Sequence, residues 1–313
     1  MLNTYVDKQP VAHEGCRPRP CVWPYVQSMS THTVVLAMLF LAVAAAGCGW
    51  ARSAKDPAAP VLSVDEEIEL GRALAPHLEA GLGGRLDAPA VQAYVRTVGE
   101  RVARSTPSHG LPYHFSVLAS ASPEALALPG GPVYIARGLL EKLDSEGELA
   151  AALARELAHI NARHVGREAT TKFGVPALVA AIPNAATDTR AEAAARQANL
   201  ARLAGVLRQL RYDPETEGEA DRLGLDYLVA AGYNPASMVA LLETTAGPAS
   251  APPVAAPLPA LAGRADAIRR MIARKYVDRG GRVGREEYAR EVLDRLKTAQ
   301  PVPAAKALNG GST

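Results

Sequence analysis

Cysteine is nearly missing from this chain: three occur in 313 residues, Cys16, Cys21 and Cys48, and none follows. A disulfide framework in the main body is therefore excluded, whatever compartment the protein occupies. A basic stripe is also missing. Lys and Arg total 34 against 32 Asp and Glu, leaving a formal charge of +2 spread over interspersed signs. Such a surface does not neutralise a run of phosphates, which excludes nucleic acid as a partner. There is no internal repeat, so a solenoid is excluded as well. What is present is an alanine-rich, 48% hydrophobic sequence able to bury one large core or two small ones.

The apolar run from Thr33 to Gly47, "TVVLAMLFLAVAAAG", falls short of the roughly 20 residues of a bilayer span. It ends in small residues directly before Cys48. Ala45, Ala46, Gly47 and Cys48 follow the layout of a lipobox, in which small residues admit a signal peptidase and the cysteine sulfur takes the lipid. A plain secretory signal or membrane anchor is the alternative reading. Residues 1–28 look like neither signal nor domain, and we expect translation to begin at Met29, with 1–28 a mis-assigned start or non-native segment. Residues 29–47 are then the signal peptide, and 48–62 the lipidated cysteine and its tether. Gly49 lacks the aspartate that retains some lipoproteins in the inner membrane, so outer-membrane attachment facing the periplasm is expected.

Ser63 followed by Glu66 is a capping box, and a helix begins there. Val91, Tyr94, Val95, Val98 and Val102 recur at helical spacing. The segments "YHFSVLAS" and "GPVYIARG" alternate as strands around a turn at Pro129, Gly130 and Gly131. A helical run is predicted from Ser145 to about Arg167, then a mostly helical stretch to Arg211 broken near Pro176 and Pro183. A further helix spans 215–231, ended by Gly232 and Pro235. Residues 244–263 are dense in Pro and Ala and carry no charge, which marks a loop. A helical pair near 264–276 and 285–297 follows, then a flexible tail at 300–313. The order of elements gives an α+β, mostly helical domain with a small sheet.

Within the central helical run stands "LARELAHINARH". His-Glu-x-x-His works on a helix because residues four apart lie about 40° apart around the axis, so two imidazoles share a zinc ion while the Glu reaches its water. Here the five positions read Arg155, Glu156, Leu157, Ala158 and His159. Base and second histidine are present, and the first ligand is an arginine. His164 lies five residues beyond His159, about 140° around the helix by the same geometry, which predicts a surface or capping residue. Downstream, Glu217 and Asp221 share a helical face: Glu217 is a candidate third ligand and Asp221 an acceptor for an imidazole N–H.

The ordered set "EALALPGGPVYIARGLLEKLDSEGELAAALARELAHINARH" and "ETEGEADRLGLDYLVAAGYNP" closely resembles peptidase family M48, the gluzincin group, over about Ser63 to Ile272. The resemblance implies a zincin-like domain over 63–299 with a small active-site β-sheet, and a role in cell-envelope protein quality control. It implies zinc as cofactor, His159 and Glu217 as metal ligands, Glu156 as general base and Asp221 as the carboxylate behind them. Two departures stand out. Arg155 replaces the first ligand. Where members of the group carry a histidine in a loop that can plug the zinc site, this chain has Ala256 in "AAPLPAL".

A guanidinium stays charged at every relevant pH, so it opposes a dication at the coordination distance. Zinc is accordingly expected to be weak or absent. The same cation is expected to form a two-pronged pair with Glu217 or Glu156, the alternative being that it points into solvent above a watered cleft. The resulting expectation is an impaired pseudopeptidase that binds unfolded or misfolded envelope polypeptides. An active zinc metalloendopeptidase degrading such proteins is the alternative, and a lipid-anchored scaffold without peptide binding a third.

Overall fold

The chain starts its first helix where side chains can satisfy the free amides of the opening turn. Ser63 accepts from the Glu66 amide and Glu66 accepts from the Ser63 amide, closing both halves of the capping box at α1 (Val64–Gly81). The computed structural model describes residues 61–108, 110–183, 189–246 and 260–299. The expected signal peptide, Cys48 and its lipid, most of the tether and Ala256 lie outside the described residues. Among the described residues no helix is long and apolar enough to cross a membrane.

Helix α2 (Pro89–Ala103) begins with a proline whose missing N–H costs nothing in the first turn, and it buries Val91, Val95, Val98 and Val102 as their spacing predicts. Three strands follow, β1 (His114–Leu118), β2 (Ala125–Ala127) and β3 (Pro132–Ala136). They lie in the order β1-β3-β2, with β1 parallel and β2 antiparallel to β3. The sequence predicted β1 and β3; β2 is an addition, hidden because Ala-Leu-Ala shows no alternation. Gly130, at φ +73°, makes the turn before β3 against the α1 backbone at Ile68, where a Cβ has no room.

After α3 (Arg137–Leu140), helix α4 (Glu146–Asn161) runs through the middle of the domain with nearly every residue buried. It packs against α2, α8 (Pro214–Ala230) and α9 (Ala236–Ala246). The expected run to Arg167 is interrupted. Arg163 takes a left-handed conformation at φ 58°, and α5 (His164–Phe173) restarts in a new direction. Helices α6 (Val175–Val179) and α7 (Arg190–Arg208) follow, and the leucines of α7 meet those of α1 in a second apolar cluster. Helix α10 (Ala260–Lys275) packs on α9. The last segment, α11 (Arg285–Tyr288), widens into a π turn and ends as α12 (Asp294–Thr298).

The C-terminal part is tied down by charge. Glu146, buried at the start of α4, accepts from Tyr94, Arg101, Tyr233 and Arg282. The result is α+β and mostly helical with a small sheet, as the sequence predicts.

Candidate functional site

Helices α4 and α8 approach so closely at the motif that any side chain larger than glycine's would be crowded there. A Cβ on Gly224 would lie 3.1 Å from the Arg155 amide nitrogen and 3.2 Å from its Cα. This contact puts the carboxylates of α8 over Arg155. The Arg155 Nε donates to Asp221 at 2.7 Å and its Nη2 to Glu217 at 2.6 Å. The guanidinium thus points into the site, and its two prongs take Glu217 and Asp221 rather than Glu156. Burial works against its charge, but Asp221 and Glu217 outweigh that and hold it more firmly protonated than an ordinary arginine.

A second arginine, unforeseen from the sequence, completes the cluster. Arg264 on α10 grips Asp221 with two hydrogen bonds of 2.6 Å and stands 3.0 Å from Glu217. Asp221 is only 3% exposed at its side chain. Two guanidinium groups therefore face two carboxylates, and each charge is answered in a place where an unanswered one is costly. Asp221, expected to orient an imidazole, is taken up by these arginines.

The imidazole is oriented by another residue. His164 is buried, and its Nδ1 lies 3.1 Å from the Nδ1 of His159, while its Nε2 lies 3.2 Å from Glu219. The expectation of a surface or capping histidine is thus corrected: the helix breaks at Arg163, so the angular count along one axis no longer applies. Glu219 can only accept, so His164 Nε2 carries the proton and its Nδ1 accepts from His159. The lone pair of His159 is left on Nε2. Burial, reinforced by Arg155, His164 and Arg264, keeps the His159 ring neutral. Tyr212 stacks on that ring at a centroid distance of 4.4 Å.

Glu156 is 7% exposed. Burial pushes its carboxyl up to about 7, with Arg155 pulling the other way and Glu217 adding to the rise. Among the described residues nothing hydrogen-bonds to it.

Arg155, Glu156, His159 and Glu217 line a cleft of about 330 Å³, bounded by β2, Leu139, Leu207, Tyr212, Leu241 and Arg264. On its β3 side, β2 is bonded through Glu124 and Leu128, which are in step with the Leu126–Tyr134 pair. By the alternation of an antiparallel ladder, the backbone groups of Ala125 and Ala127 face the other way, along an open edge.

The sequence pattern of peptidase family M48 matches residues 89–272. The chain belongs to that family. M48 proteins are zinc metallopeptidases. Among its relatives, the beta-barrel assembly-enhancing protease of Yersinia pestis is 29% identical over 196 residues, 60% of this chain and 39% of that protein. The Escherichia coli protein of that name is 28% identical over 221 residues, 67% of this chain and 44% of that protein. The mitochondrial metalloendopeptidase OMA1 of Schizosaccharomyces pombe is 30% identical over 150 residues, 48% of this chain and 42% of that protein. The chain thus spans less than half the length of these relatives.

Against the family's chemistry, the donor set of this M48 chain does not fit zinc. A hydrolytic zinc needs three protein ligands and an open position. His159 keeps a free Nε2, but Glu217 is held by two guanidinium groups and the first ligand position is itself a cation. Sequence reasoning missed Arg264 because it follows a low-complexity loop, and Tyr212 because nothing in the motif marks it. For His164 a signal existed: Asn161, a residue suited to helix ends.

Proposed function

We propose that this protein is a cell-envelope lipoprotein in which the M48 fold no longer hydrolyses peptides and instead binds unfolded or misfolded polypeptides in a chaperone-like role. The observation that carries the reading is the ion cluster: Arg155, in the place of the first ligand, is bonded at 2.6 and 2.7 Å to Glu217 and Asp221. The cluster supplies internally the positive charge that a metal would otherwise bring. The catalytic role of Glu156 and the ligand roles of His159 and Glu217 belong to the ancestral chemistry in this reading.

Support for polypeptide binding comes from the open edge of β2 beside an apolar wall. An extended chain can add a strand there and satisfy its own amides. Lipidation at Cys48 and outer-membrane, periplasm-facing attachment rest on the sequence.

Elemental analysis of the purified full chain tests the first half, together with casein cleavage with and without a chelator. Zinc well below one per chain and no chelator-sensitive cleavage are expected. One tightly held zinc with chelator-sensitive cleavage would establish an active metalloendopeptidase instead. Suppression of aggregation of a denatured protein tests the second half, and no suppression at stoichiometric amounts would leave only a lipid-anchored scaffold.

A further inference from the structure

The cleft carries positive charge that the ion cluster does not consume. Four arginines line it, Arg155, Arg208, Arg211 and Arg264. Two of these are spent on Glu217 and Asp221. Arg208 meets Glu124 at 3.3 Å in a contact open to water, which holds it only weakly. Arg211 differs from all three. Among the described residues its guanidinium makes one hydrogen bond, at 2.9 Å to the carbonyl of neighbouring Leu210, and pairs with no carboxylate. The stretch from Thr244 to Gly263 contains no acidic residue to offer it.

We propose that the cleft selects extended polypeptide segments carrying an acidic side chain, laid along the open edge of β2 with the carboxylate received by Arg211 and Arg208. This rests on the polypeptide-binding reading above and names the class of chain it takes. Position follows from the other charges. Glu156 lines the cleft with no hydrogen-bonded partner among the described residues and disfavours an anion beside it, so the acidic side chain settles on the side of Arg211. Glu124, exchanged for the ligand's carboxylate, frees Arg208 to act as the second donor. Alternate side chains of an added strand point the same way, so residues two before and two after the acid face Leu207 and Leu210 or solvent.

The test uses three fluorescein-labelled peptides of one length with a central Glu, Gln or Lys, titrated by anisotropy against the full chain. The Glu peptide is expected to bind about fivefold more tightly than the Gln peptide, as suits a partly exposed charge pair. The Lys peptide is expected to be weakest. The Glu-to-Gln ratio should fall towards one in Arg211→Gln and in 0.5 M salt, where the Debye length is only about 4 Å. A Glu peptide no tighter than Gln, or a preference that survives Arg211→Gln and Arg208→Gln together, overturns the inference and leaves polypeptide binding standing. If none of the three binds, polypeptide binding itself falls.

Discussion

Replacing Glu156 by glutamine should stabilise this protein, and only where the carboxyl would otherwise be charged. The ordinary glutamate value is 4.5, and burial in the cleft pushes Glu156 up to about 7. A carboxyl raised in the folded state binds its proton more readily there than in the unfolded chain. Stability therefore falls as pH rises from about 4.5 to about 7 and is level above. At 1.36 kcal/mol per unit, the full penalty is about 3 kcal/mol at pH 8 and under about 1 kcal/mol at pH 5. Glutamine keeps the shape and cannot ionise. Urea denaturation of Glu156→Gln and the parent at both pH values reads the difference directly. The expected outcome is a gain of about 2–3 kcal/mol at pH 8 that nearly vanishes at pH 5. A gain that is equal at the two pH values, or a loss at pH 8, would refute the placement of Glu156 as a buried carboxyl whose burial outweighs the pull of Arg155 and Arg264. A nearby dication would hold the carboxylate charged and produce that refutation.

Other perturbations probe the ion cluster and its supports. Arg155→His should remove one of the two guanidinium groups on Glu217 and restore an imidazole at the first ligand position, while Arg264 stays 3.0 Å from Glu217 and keeps its double grip on Asp221; zinc measured by elemental analysis should rise above that of the parent chain. In that background His164→Phe removes the acceptor for His159 Nδ1, and zinc affinity by competition with a chromophoric chelator should drop about 10–100-fold. Arg264→Met strips Asp221 of two bonds inside a buried cluster; because Arg155 remains, a loss of about 2–4 kcal/mol in urea unfolding is expected. Gly224→Val forces a side chain against the Arg155 backbone and should cost about 1–3 kcal/mol by the same assay.

How far the sequence reaches can be judged residue by residue. Ser63 and Glu66 announce α1 because a capping box is a local interaction complete within four residues. The valines of α2 announce its buried face because periodicity survives any tertiary arrangement. Glu217 and Asp221 are legible as neighbours for the same reason, and α8 brings both to Arg155. Harder to read are features fixed by distant contacts. The edge strand β2 exists because β3 offers it a ladder, and α9 because its apolar residues meet α4 and α10. The break at Arg163 is held by bonds to Glu67 and Leu62, about a hundred positions earlier, and overrides the period of the helix before it. Arg264 reaches Asp221 across 43 positions and an uninformative loop; no local pattern encodes that pairing.

The bonds at Arg163 couple two regions that look independent. Its guanidinium clasps the Leu62 carbonyl and the Glu67 carboxylate, while its left-handed backbone sets where His164 begins the next helix. The chain entering α1 is therefore tied to the residue that aims the histidine pair. Because the Leu62 side chain is itself buried in the apolar cluster of α1 and α7, a displacement at Leu62 would reach the imidazoles and the hydrophobic interior together.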